Sequence, residues 1–517
     1  MVVEDKVGPR TEGADPDRFF PYTSGRWIHD ERHQLSLRYR RFNIDALKEV
    51  VARAGGGKTI LEMDKLAEGA YNKIFQCKLD NGLELIARIP TILAGPGRLV
   101  TASEVATIDF VRSQLGVPVP RVLAWCADAS ITPVETEYIV MEKAAGIELG
   151  KVWDKMCSDT KDAVVREWVD IEARLLAPIS GGYGSVFYRG DIDQAVSRDI
   201  MVDGTRQDRF VLGPSVSTTF WEGERRDMDI DRGPWKNALS SLKAESLRER
   251  SWIEKYAIPN PNPGPFDPPV NIQHPPSHLS LLTRYESVLP YLRPPARGVV
   301  RPTLWHTDLH FGNIFVLPED LANGKVTITA VIDWQHTSLR PLYLQARTPR
   351  FIRYHPPPET FDQQETALHN ELTNRHKLYA ATCASRSPDY YRARSFHTRD
   401  LIIPPIQFAG RIWSGGFVPL RESLIRIVDR WDALGHAGLA CPIEFSAAER
   451  EMHAVDAAEW QETEDVRVLM QERIGVQEDG WVSVEEYDDA VARNEECKRE
   501  FMESMPPGEE RDDFMRV

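Results

Sequence analysis

Two periods of apolar residues alternate along this chain. In "RFNIDALKEVVARA" Ile44, Leu47, Val50 and Val51 recur at helical spacing. Further on, "YNKIFQCKL" and "ELIARI" alternate apolar and polar residues, which predicts two strands, and Asn81-Gly82 between them is a hairpin signal. "TASEVATIDFVRSQLG" predicts a helix ended by Gly116, and "RVLAWCAD" and "TEYIVMEKA" predict two more strands. Residues 62–142 therefore read strand, strand, strand, helix, strand, strand.

From about residue 150 helical patterns dominate. In "DAVVREWVDIEARLLAPI" Val164, Val165, Trp168, Val169, Ile171 and Leu175 fall largely on one face. Residues 259–302 are dense in proline and predict a linker, interrupted by one helix, "SHLSLLTRYESVLPYL", starting on a Ser277 cap. More helices follow beyond 360, and the tail from about 440 is acidic and helical.

The chain has 517 residues, 78 acidic and 63 basic, for a formal net charge of −15. Nothing offsets phosphate repulsion, which argues against nucleic acid or an anionic membrane surface as the main partner. No run of about 18 apolar residues predicts a transmembrane segment. Six dispersed cysteines without a CxxC pair suit a reducing compartment. The N-terminus carries Glu4, Asp5, Glu12, Asp15 and Asp17, so it has neither the apolar core of a secretory signal nor the acid-poor composition of a transit peptide.

Two motifs resemble sites without meeting their demands. "VARAGGGKTI" ends like a phosphate-binding P-loop in Gly57-Lys58-Thr59, but a helix precedes it, a strand follows, and Ala52 holds the place of the first glycine. "DMDIDRG", Asp227 to Gly233, opens like a calcium loop, but Arg232 stands where Gly is required and Ala238 where Glu is. It reads as a solvated acidic turn.

The informative stretch is "LWHTDLHFGNIFV", with His306, Asp308, His310 and Asn313. Zinc would need three or four converging N or S donors, and no HxxxH helix or cysteine cluster supports His306 and His310 in that role. "HTDLHFGN" instead fits the H-x-D-L-x-x-x-N loop of the protein-kinase signature, with Thr307 in place of Arg. "NIFVLP" predicts a strand, "EDLANGK" a turn and "VTITAVIDW" a second strand, so the hairpin should return Asp333 to the neighbourhood of Asn313. Two oxygen donors beside a proton-accepting Asp are what magnesium-assisted phosphoryl transfer needs. The same reading asks for a cation on the third strand, here Arg88, and a carboxylate on the next helix, here Glu104. Gly69 would lie at the turn where backbone passes close over phosphate. Met141, Glu142 and Lys143 would sit where adenine meets backbone.

These motifs resemble the aminoglycoside phosphotransferase family, the small-molecule branch of the kinase-like fold. Within it "KLAEGAYNKIF", "RFVLGPS", "DRGPW" and "LWHTDLHFGNIFV" resemble the fungal group called altered inheritance of mitochondria protein 9. The similarity covers roughly residues 35–475. It implies ATP and magnesium as cofactors, Asp308 as catalytic base, Asn313 and Asp333 as metal ligands, and His310 near the γ-phosphate. The family often carries Lys where Arg88 stands; Arg keeps the charge but is bulkier and forked.

The expectation is an α+β, bilobal protein-kinase-like fold with a small antiparallel-sheet lobe and a large helical lobe. Its parts are a flexible tail (1–18), an N-terminal helical segment (19–59), the small lobe (60–142), the large lobe with catalytic loop and substrate region (143–440) and an acidic helical extension (441–517). ATP is expected in the cleft. The function expected is phosphoryl transfer to a hydroxyl or amine of a small molecule; the alternative is a catalytically weak or inactive nucleotide-binding or interaction protein on the same fold. The resemblance implies a mitochondrial location, and the absence of a visible presequence keeps the cytoplasm as the alternative.

Overall fold

A computed structural model of the chain describes residues 16–261, 270–353, 363–436 and 438–504. The first fifteen residues of the expected tail lie outside them. The chain divides into two compact units, one made of residues 1–94, 123–140 and 470–517, the other of 95–122 and 141–469.

The first unit is built on a five-stranded sheet in the order β2-β3-β4-β6-β5, from β2 (Ile60–Glu68), β3 (Asn72–Leu79), β4 (Glu84–Pro90), β5 (Val122–Cys126) and β6 (Tyr138–Glu142). β2, β3 and β4 are antiparallel neighbours. The alternation in β3 buries every second residue, Lys73, Phe75, Cys77 and Leu79. Asn81-Gly82 makes the expected turn: Gly82 takes φ +83°, and the Asn81 side chain accepts the Leu83 N–H. The helix Ile44–Ala54 covers the sheet core with Leu47 and Val51. It runs into Gly55 and then β2, so the Gly-Lys-Thr stretch lies between a helix and a strand, the reverse of a P-loop.

The C-terminal residues join this unit. β1 (Gly25–Trp27) pairs antiparallel with β16 (Trp481–Ser483), and the helix Tyr487–Ser504 packs on the pair. Arg26 lies over the Tyr487 ring, and Trp27 Nε1 donates to Asp479 at 3.1 Å.

The second unit has a large core around the helix Ser158–Leu175, whose Val164, Val165, Trp168 and Val169 are fully buried. Its short strands carry the site. β7 (Ile147–Glu148), β13 (Ile314–Val316) and β14 (Ile328–Val331) form a sheet in the order β14-β13-β7, and β12 (Pro302–Leu304) pairs with β15 (Leu339–Pro341).

Two expectations are corrected here, and one sheet is added to them. Helices dominate beyond residue 150 as expected, but β8 (Ile179–Ser180), β9 (Ser185–Tyr188), β10 (Arg198–Val202) and β11 (Thr205–Gly213), for which no strands were expected, form a four-stranded sheet. The signal was Asp203-Gly204, both at positive φ, joining two short runs as a hairpin turn. The helix assigned to a Ser277 cap starts two residues earlier at Pro275, because proline suits the first helical turn; Ser277 Oγ shares a hydrogen bond with His274 Nδ1 instead. Finally, the turn after β13 opens with a short helix, Pro318–Ala322, with Glu319 and Asp320 in its first turn, before Gly324 reverses the chain.

In the acidic stretch 227–233, Asp231 accepts from Gly233 N–H and Trp235 Nε1, as a turn carboxylate does. Among the described residues no helix is long and apolar enough to cross a membrane.

Candidate active site

The loop 305–313 leaves β12 and enters β13, and its shape follows from His306. This ring is buried, 4 % exposed, and both nitrogens are used. Nε2–H donates to Ile332 O at 2.8 Å and Nδ1 accepts the Asp308 N–H at 3.2 Å. A carbonyl can only accept and an amide N–H only donate, so the ring is held neutral in one tautomer. Burial then pulls its pKa below the ordinary histidine range. His306 is thus a brace between the loop and the end of β14, with no nitrogen left for a metal.

Asp308 follows, its side chain 60 % exposed, with His310 Nε2 at 3.7 Å from its Oδ2. His310 Nδ1 accepts the Gly312 N–H at 3.1 Å, which fixes the ring direction. A Cβ on Gly312 would come within 2.9 Å of that ring, so a larger residue there would push the His310 ring aside. Asn313 is 6 % exposed; its Nδ2 donates to Asp308 O at 2.8 Å, which leaves Oδ1 as the end offered to a ligand.

The ribbon returns as its sequence implies. Ile314 faces Val331 in the ladder, and Ile332 N–H donates to Asn313 O at 3.0 Å. Asp333 is therefore the next residue after one bonded to Asn313. It takes φ +66°, and His336 takes φ +60°. Asp tolerates the left-handed region better than most residues, and such outliers cluster at functional sites. Thr307 Oγ1, standing where the signature has Arg, donates to Gln335 O at 3.1 Å, and Trp334 packs edge-on against His306 while bonding Val331 O. Thr307, Trp334 and Gln335 hold the two strand ends together, a role that sequence reasoning missed.

An amide oxygen and a carboxylate on neighbouring strand ends suit magnesium, which takes oxygen donors and fills its remaining positions with water and phosphate. Among the described residues no group of three His, Cys, Asp or Glu is placed to hold a metal ion. Two oxygen donors of this kind match the preference of a hard cation.

The other expected site residues lie elsewhere on the chain. Arg88 is buried on β4 opposite Ile74, and Glu104 is buried in the helix Leu99–Ser113. Gly69 occupies the β2–β3 turn with its N–H on Asn72 O; a Cβ there would meet nothing within 4 Å. Met141 and Glu142 end β6. Glu142 N–H donates to Arg121 O, and its carboxylate accepts from Arg121 N and Nε, so this residue is tied to Arg121. Lys143 follows directly.

A cavity of about 520 Å³ opens in the second unit beside Trp305, His306 and Thr307, the three residues before Asp308. Its volume is in the range of small-molecule sites. Ser215, Phe220, Trp235, Glu245 and Arg248 form part of its wall.

The phosphotransferase enzyme family model matches residues 62–344, more than half the chain, and spans the expected catalytic loop and Asp333. This chain belongs to the phosphotransferase enzyme family. It is 29 % identical over 497 residues to a subtelomeric hrmA-associated cluster protein of Aspergillus fumigatus, covering 87 % of this chain and 94 % of that protein. It is 25 % identical over 503 residues to altered inheritance of mitochondria protein 9, mitochondrial, of Yarrowia lipolytica, covering 88 % and 85 %. Among solved structures it is similar to aminoglycoside phosphotransferase APH(4)-Ia, at 13 % identity and a TM-score of 0.36 over 77 % of this chain and all of the other.

Proposed function

We propose that this phosphotransferase-family protein transfers a phosphoryl group from ATP to a hydroxyl or amine of a small molecule with magnesium present. One observation carries the reading: a single ribbon joins Asn313 O to Ile332 N–H beside Asp333, while Asn313 Nδ2 is bonded to Asp308 O. Asn313 thus ties the backbone of Asp308 to the strand end that leads into Asp333.

Bound ATP with its magnesium supplies the γ-phosphoryl group, whose bond to the β-phosphate breaks as the bond to the acceptor forms, releasing ADP. Asp308, exposed and next to the cavity-lining Thr307, takes the proton lost by the acceptor. Asn313 Oδ1 and the Asp333 carboxylate would hold the metal. His310, whose ring is oriented by Gly312 N–H and lies 3.7 Å from Asp308, would accompany it near the transferred group. Positioning, not covalent chemistry, does most of the catalysis in this scheme.

A second reading, a nucleotide-binding protein with little or no turnover, is favoured by Arg88 at a lysine position and by the lone Gly69. Thermal shift with ATP and magnesium on the native chain and on Asp333→Ala tests binding. ADP release over a metabolite pool, with Asp308→Asn as control, tests catalysis. A shift without turnover on any acceptor selects the second reading; neither response rejects both. The relatives named as mitochondrial support a mitochondrial location, which cell fractionation would test against the cytoplasm.

A further inference from the structure

The cavity beside the catalytic loop has a distinctive charge. Four arginines line it, Arg248, Arg340, Arg347 and Arg411, against one carboxylate, Glu245. Two of the four are already committed. Arg340 Nη2 donates to Glu245 at 2.6 Å. Arg248 is buried and donates to Glu249, to Thr219 Oγ1 and to Gly410 O. The other two differ: among the described residues no carboxylate lies within ion-pair distance of Arg347 or Arg411. Arg411 rests over the Phe408 ring, 5.3 Å from its centroid.

We propose that the phosphoryl acceptor carries a carboxylate or phosphate group besides its reacting hydroxyl, and that Arg347 and Arg411 hold this anion in the cavity next to Asp308. The inference rests on the phosphotransferase reading above and names its substrate class. Partial desolvation, and then the like charges of Arg340 and Arg353, pull Arg347 below the usual arginine range. A guanidinium placed among like charges gains most from an incoming anion, and its planar fork matches carboxylate and phosphate oxygens. A polycationic acceptor meets the opposite situation, since Glu245 is already bonded to Arg340 and four guanidiniums repel it. Trp305, Trp235 and Phe220 on the wall leave room for an apolar part of the same molecule.

Isothermal titration calorimetry on the full chain without ATP tests this. The probes are inorganic phosphate, a set of hydroxycarboxylates and a set of sugar monophosphates, with neutral polyols and an aminoglycoside as counterparts. The expected result is binding of at least one anionic hydroxyl compound, weakened at least about tenfold by Arg347→Gln and by Arg411→Gln in chains whose circular dichroism is unchanged. The hydroxycarboxylate and sugar-phosphate arms tell which anion is recognised. Binding of none of the anionic probes, binding confined to neutral or cationic ones, or anion binding indifferent to both substitutions overturns the inference. Turnover separates it from the reading beneath it. Arginine-dependent anion binding without transfer to any bound probe keeps the anion site and rejects the phosphotransferase. Transfer to a neutral or cationic acceptor alone keeps the phosphotransferase and rejects the anion site.

Discussion

Asn313 donates its Nδ2 hydrogen to the main-chain oxygen of Asp308 at 2.8 Å, so the side chain expected on the metal also fixes the backbone of the expected base. The two residues act as one unit, and substitutions at them should not add independently. Asp308→Asn keeps the loop and is expected to lower kcat about 10²–10⁴-fold while the ATP-dependent thermal shift persists. Asn313→Asp keeps an oxygen donor but sets a carboxylate against the Asp308 carbonyl. It should therefore lose activity at least as severely as Asp308→Asn, in steady-state assays of ADP release. Asn313→Asp with native kcat would show that this bond does not matter.

Asp333→Ala removes the proposed carboxylate donor and leaves a left-handed position to a residue that fits it less well than Asp. Its intrinsic stability should be about 1 kcal/mol below that of the native chain. With magnesium-ATP at 100 times the native Kd, the native chain should gain about 2.7 kcal/mol and the variant close to none. Fluorimetric melting with and without nucleotide reads both; an undiminished nucleotide effect would remove Asp333 from the metal site.

Gly69 has no protein atom within reach of an added Cβ. Gly69→Ala should therefore change stability by no more than about 0.5 kcal/mol. If phosphate approaches this turn, the methyl group should raise the KM for ATP by about tenfold, some 1.4 kcal/mol. An unchanged KM would mean that nothing binds over Gly69.

Two buried groups give stability opposite pH slopes. Glu172 lies wholly inside the second unit, accepting from Trp168 Nε1 and Tyr379 Oη, and burial pushes its carboxyl up to about 7 despite those bonds. The folded state therefore holds a proton that the unfolded chain releases above about 4.5. Its contribution is full below that pH and is lost as pH rises toward about 7, on the order of 3 kcal/mol in all. Glu172→Gln keeps the acceptor and should flatten this slope in urea midpoints measured from pH 4.5 to 8. A variant with the native slope would place its origin elsewhere.

His306 works the other way. Burial lowers its pKa in the fold, so its contribution is full above the unfolded value near 6.5 and is lost as pH falls through the folded one. His306→Ala leaves the Asp308 N–H and Ile332 O unsatisfied and opens a void, costing on the order of 3 kcal/mol. It should also remove the acid-side part of the slope and disorder the Asp308 loop, with activity falling further than stability. Retained activity at full occupancy of the folded state would show that the brace is dispensable.

Much of this site was legible because its parts are local in sequence. The spacing of His306, Asp308, His310 and Asn313, and the two short apolar runs ending at Asp333, encode a ribbon whose register brings the ends together. The same holds for β3 and β4, where alternation and Asn81-Gly82 specify the hairpin. The four-stranded sheet at 179–213 was less legible, since its strands are short and partly polar and only Asp203-Gly204 marks the reversal.

The chain by itself therefore determined the α+β class, the ribbon that joins Asn313 to Asp333 and the identity of the residues at its tips, because backbone pairing over a short loop needs only local pattern and turn chemistry. Tertiary structure alone decided that both nitrogens of His306 are consumed in bracing the loop. It also decided that Arg347 and Arg411, from segments 64 residues apart in the numbering, line one cavity with Thr307. Periodicity cannot encode such meetings: they depend on which helix ends the packed core brings to one wall, and a lone arginine in sequence looks like any solvated surface charge.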